Sequence, residues 1–93
     1  MVIDDIKQKM SVILRQADVR RAAIFGSFAR GEAGRDSDLD LLVEFQGKKT
    51  LLDLVALKNR LERALNIKVD VITYQSLSPL LRDEILRQQV LVL

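Results

Sequence analysis

The chain contains no cysteine and no histidine. The first absence rules out a disulfide framework and any thiolate metal site, and the second removes the commonest zinc ligand. A metal bound here must be held by oxygens, which favours magnesium or manganese. Long hydrophobic runs are also missing. None approaches the ~20 residues of a membrane span, and the segment after Met1 lacks the pattern of a signal peptide. A cytoplasmic location without a membrane partner is therefore expected. No repeat, low-complexity tract or linker interrupts the chain. An excess of one charge is lacking as well: 15 basic against 13 acidic residues leave a net +2, which argues against a strongly basic nucleic-acid surface. With only 4% aromatic residues, no platform for stacking bases is visible. What remains is ordinary for a folded domain, 48% hydrophobic and 30% charged. Its 93 residues suffice for one core and not for two, so residues 1–93 are expected to form a single domain.

Residues 3–17 carry Ile3, Ile6, Met10, Ile13, Leu14 and Ala17 at helical spacing. A short β-prone run, Val19 to Phe25, stops at Gly26. Residues 26–37 hold three of the four glycines among Ser, Arg, Asp and Glu, which predicts a loop with one helical turn. Asp38 to Phe45 reads as a strand. Leu51, Leu54, Val55, Leu61 and Leu65 restore helical periodicity, with Thr50 as N-cap and Asn66 at the end. Lys68 to Thr73 alternates and is rich in β-branched residues, giving a third strand. Ser78-Pro79 opens a last helix to about Gln88. The apolar Val90–Leu93 either completes the sheet or meets another subunit. The fold class is α/β (α+β), with helices flanking one small mixed sheet. So little core leaves room for oligomerisation, with a copy or with another protein.

Chemistry concentrates in Gly26-Ser27-Phe28-Ala29-Arg30-Gly31 and Ser37-Asp38-Leu39-Asp40-Leu41. Two residues apart on a strand, Asp38 and Asp40 project from one face while Leu39, Leu41, Val43 and Phe45 take the other. Adjacent carboxylates repel unless a cation bridges them. Oxygen ligands at this spacing suit magnesium that also binds a polyphosphate. Asp70 interrupts the apolar Val69-Asp70-Val71 run and needs a metal or hydrogen-bond partner. If its strand neighbours the first acidic one, three carboxylates can hold two metal ions for in-line displacement at phosphorus. Asp70 would then orient or deprotonate the nucleophile. At the strand's end, Gly26 permits close backbone approach to a phosphate, to which N–H groups and the Ser27 hydroxyl donate. Arg30 and Arg35 are candidates for neutralising the triphosphate or leaving pyrophosphate.

Gly-Ser-x-x-Arg-Gly followed by Ser-Asp-x-Asp-Leu resembles the signature of the DNA polymerase β-like nucleotidyltransferase superfamily, most closely its minimal branch. The resemblance implies the nucleotidyltransferase fold, with Gly26 and Ser27 contacting the nucleotide phosphates. It makes Asp38 and Asp40 the metal pair and Asp70 the third carboxylate, catalytic and metal-binding alike. It further implies two Mg²⁺ ions (or Mn²⁺), ATP as substrate, and transfer of AMP to a partner macromolecule. Members of this branch often pair with a helical HEPN-domain toxin, which some adenylylate on tyrosine, and in those pairs the small protein is the antitoxin.

Each signal also has a plainer explanation. Asp38, Asp40 and Asp70 could be solvated acids that protect sheet edges; Gly26-Ser27 could be a capped turn. Arg30 could pair with Glu32 or Asp36 and order the loop. The motif's joint spacing favours the enzyme. The rival is a non-catalytic antitoxin that neutralises a toxin by occlusion. Nucleic acid enters only as a possible acceptor RNA. Because larger nucleotidyltransferases grip the acceptor with a second domain, the isolated chain is expected to turn over weakly.

Overall fold

A computed structural model describes residues 3–34 and 36–93. The chain forms α1 (Ile3–Gln16), β1 (Val19–Phe25), α2 (Gly26–Ala29), β2 (Leu39–Phe45), α3 (Leu51–Leu65), β3 (Val69–Thr73), a 3₁₀ turn (Tyr74–Ser76), α4 (Pro79–Gln88) and β4 (Val90–Leu91). The four strands make one mixed sheet in the order β3-β2-β1-β4. β1 pairs antiparallel with β2 and β4, whereas β2 and β3 are parallel. The parallel pair needs a crossover, and α3 supplies it.

Local chemistry explains the boundaries. Thr50 accepts from the Asp53 N–H while Asp53 accepts from the Thr50 N–H, a reciprocal cap on α3. Asn66 ends that helix in the left-handed region at φ 57°, a conformation asparagine tolerates better than most residues. Ser78 caps α4, with Pro79 in its first turn.

One sheet face is closed. Ile6, Met10 and Leu14 of α1 and Leu57, Leu61 and Leu65 of α3 recur every fourth residue, so each trio forms a stripe. These stripes pack on Ala22, Ile24, Leu39, Leu41, Val43 and Val69 of the sheet. Phe28 and Phe45 anchor against the same core. The terminal residues complete the sheet, because Leu91 pairs with Ala23, and Val92 N–H donates to Ala22 O at 2.8 Å.

Two strand boundaries differ by one residue from the sequence-based expectation. β2 starts at Leu39 and β3 at Val69, because the parallel ladder opens with Leu39 N–H donating to Lys68 O at 2.8 Å. Asp38 therefore stands at the mouth of β2 rather than within it.

Candidate active site

The alternation that buries Leu39, Leu41 and Val43 turns Asp40 to the opposite sheet face. There Asp40 is the register partner of Asp70 on β3. Register partners on neighbouring parallel strands share a face about 4.8 Å apart. Asp40 is also the register partner of Phe25, the last residue of β1. Gly26 follows at φ +72°, and a Cβ there would run into Asp40 Oδ2. Glycine is thus required twice, by its backbone angle and by the carboxylate pressed against it.

Gly26-Ser27 begins the single helical turn α2, whose N-cap Phe25 contributes no side-chain hydrogen bond. Its first N–H groups remain available for an anion. Arg30 ends the turn, exposed, with Nε 3.0 Å from Glu32 Oε2. The loop-ordering ion pair weighed for Arg30 is therefore present. Arg35 lies outside the described residues.

Electrostatics bind these groups into one site. Asp40 is half-buried, and its carboxyl is raised above the ordinary value of 3.8, first by burial, then by the charges of Asp70 and Asp38, with Arg30 pulling the other way. All three neighbours are thus close enough to act on it. Among the described residues the ion pairs run from Arg20 and Arg21 to Glu44, from Arg30 to Glu32 and from Lys49 to Asp18. The three site aspartates take part in none of them. Nor do any three acids among the described residues already stand in coordinating positions. Asp38 and Asp70 are exposed and Asp40 is half-buried, with Arg30 the opposing charge that acts on Asp40. The all-oxygen donor set and the glycine-backed Oδ2 fit a hard divalent cation. A hollow of about 210 Å³ beside Asp38 is lined by Asp36, Ser37, Asn66, Ile67 and Lys68. The larger one, about 620 Å³, backs the glycine-rich loop at Ile6, Phe28 and Val90 and holds no carboxylate.

Arg20 and Arg21, weighed as part of a basic patch, both spend their charge on Glu44. Tyr74 is buried against Arg21, 4.0 Å from ring centroid to guanidinium, and donates to Gln89. Its hydroxyl is pushed up by burial. These contacts give it a structural place. One contact has no sequence signal: Glu62 Oε2 accepts the Val69 N–H at 2.9 Å, where an acid on an amphipathic helix reads simply as solvated.

The sequence family described as polymerase beta, nucleotidyltransferase matches residues 8–93, and the chain belongs to that family. It is 54% identical over 93 residues, all of both chains, to a candidate protein adenylyltransferase of Methanocaldococcus jannaschii. The solved structure of a candidate minimal nucleotidyltransferase superposes with a TM-score of 0.84 at 40% identity, over 95% of this chain and 90% of that one. A toxin–antitoxin crystal structure with AMP-PNP contains a chain that superposes at 0.82 and 25% identity, over 94% of this chain and 72% of that one. The chain is a nucleotidyltransferase, as its motif implied. Among the described residues no helix is long and apolar enough to cross a membrane.

Proposed function

We propose that this one-domain enzyme transfers AMP from ATP to a hydroxyl of a helical HEPN-type toxin, and so acts as its antitoxin. The observation that carries the reading is the Asp40–Asp70 register pair, with Asp38 at the strand mouth and Gly26 against Asp40. A protein as acceptor is supported by the adenylyltransferase relative, and an adenine nucleotide beside a partner by the toxin–antitoxin structure.

The N–H groups at the start of α2 and the Ser27 hydroxyl hold the phosphates. Arg30 swings from Glu32 to a phosphate oxygen, exchanging one exposed ion pair for another. Asp38, Asp40 and Asp70 would hold two divalent ions, magnesium or manganese. Such ions would supply Lewis-acid charge to the phosphate being transferred. Asp70, exposed at the sheet edge, faces the incoming acceptor and takes the proton of its hydroxyl. The hydroxyl oxygen forms a bond to the α-phosphorus as the bond to the bridging oxygen breaks, and pyrophosphate leaves with that electron pair. The partner supplies the grip on the acceptor, so the isolated chain turns over weakly.

The test incubates the chain with its co-purifying or neighbouring partner, Mg²⁺ and α-labelled ATP, beside Asp38→Ala with Asp40→Ala. Label on the partner, absent with the double variant, is expected. Tight binding with no label from any of the four nucleoside triphosphates would instead establish neutralisation by occlusion.

A further inference from the structure

Asp70 occupies a weak place for a residue that must hold position. β3 is one of the two edge strands, with β2 on one side only, and Asp70 is its second residue. Pairing with β2 begins immediately before it, where Lys68 O accepts the Leu39 N–H. An edge strand frays first at such an end unless its remaining polar groups are tied down.

One side chain ties it down. Glu62 Oε2 accepts the Val69 N–H at 2.9 Å in a partly buried contact, and the Glu62 carbonyl accepts the Asn66 N–H at 2.8 Å. Glu62 thus spans the connection from α3 to β3, holding both its first and its following residues. The post is rigid, because its neighbour Leu61 and, one turn on, Leu65 are locked in the core. The charge itself is poorly placed for helix stability. An acid in the last turn faces the negative end of the helix dipole, so its contact with Val69 is what the position offers in return. A carboxylate accepting a backbone N–H is among the stronger hydrogen bonds available.

We infer that Glu62 is a positioning residue, which fixes the start of β3 and through it the Asp70 carboxylate opposite Asp40. The inference rests on the reading that Asp70 belongs to the cation-binding group. It separates the acceptor oxygen of Glu62 from its charge. Glu62→Gln keeps an oxygen at the same reach. Glu62→Asp keeps the charge but withdraws the oxygen by one methylene, and Glu62→Leu removes both.

The experiment titrates Mn²⁺ into each full-length variant with a non-hydrolysable ATP analogue, read by electron paramagnetic resonance, with circular dichroism as the check of folding. Glu62→Gln is expected within about threefold of the parent affinity, whereas Glu62→Asp and Glu62→Leu weaken binding about tenfold, as loss of an outer-shell support does. Asp70→Asn is the control for the underlying reading and should weaken binding at least as much as Glu62→Leu. If Asp70→Asn binds Mn²⁺ like the parent, the third-carboxylate reading fails and takes this inference with it. If Asp70→Asn is impaired while folded Glu62→Asp and Glu62→Leu match the parent, the positioning role alone is overturned. Should Glu62→Leu not fold, Glu62→Asp decides by itself.

Discussion

Asp53 and Asp40 place the same side chain in two regions of the molecule with opposite consequences. Asp53 sits in the first turn of α3, where the Thr50 N–H and hydroxyl both donate to its carboxylate. Its carboxyl is held below the ordinary value by the Thr50 backbone hydrogen bond first and the Thr50 side chain next. Asp40 sits half-buried on the sheet face away from the α1 and α3 stripes, beside two like charges, and its carboxyl is raised. Folding therefore favours the charge at the helix start and disfavours it in the site. A position that works against the fold is what catalytic groups tend to occupy.

Asp40→Asn breaks the comparison hardest. Transfer to the partner should fall by about a thousandfold, since the charge that the site is built around is gone. Stability in chelator at neutral pH should nevertheless hold or rise, because the repulsion from Asp70 and Asp38 goes too. Paired activity assays and urea melts check this. A melt midpoint well below the parent would mean that Asp40 holds the fold rather than serving it.

Next in size is Gly26→Ala. The added methyl meets the Asp40 carboxylate, and the left-handed backbone at φ +72° strains any residue with a Cβ. Displacing a ligand by a fraction of an ångström should lower transfer about a hundredfold, while the strain lowers stability by about 1–2 kcal/mol. Single-turnover rates and melts, read on the same preparations, separate the two.

Thr50→Ala sharpens the other side. Removing the hydroxyl that accepts the Asp53 N–H should lower stability by about 1 kcal/mol and leave transfer by the folded protein unchanged. An altered rate at full folding would mean that the α3 start is coupled to the site.

These regions were not equally legible in the sequence. Caps announce themselves by residue type, so Thr50, Asn66 and Ser78-Pro79 mark the helix limits correctly. Apolar periodicity likewise marks the trios at 6, 10, 14 and 57, 61, 65. Asp38 and Asp40 stand out because their spacing is local. The pairing of Asp40 with Asp70 is not local: it depends on a parallel crossover and on the register Leu39↔Val69. Residue types alone support only a conditional: the three carboxylates meet if these strands are neighbours. Glu62 and the stacking of Arg21 on Tyr74 left no trace, since acids and arginines are common on exposed faces and only the folded chain brings their partners near.

The smallest expected effect is a difference of sign. The folded-state carboxyl of Asp40 lies above its unfolded value, so the folded chain binds the extra proton between the two. Its contribution to stability accordingly falls as pH rises from 3.8 through that raised value, and stays low above it. Asp53 runs the other way. Its folded-state carboxyl lies below 3.8, so its contribution is present above that pH and is lost as pH falls through the depressed value. Urea midpoints in chelator from pH 3 to 7 should therefore separate two variants. Relative to the parent, Asp40→Asn should gain stability as pH rises past 4 and then level off, whereas Asp53→Asn should trail the parent fully above about pH 4 and catch up as pH falls toward 3. Adding Mg²⁺ at pH 7 should close the gap for Asp40→Asn, because the parent then gains a counter-charge that the variant binds poorly. Equal pH profiles for both variants would mean that the two aspartates see the same solvent, and would remove the electrostatic argument for the site.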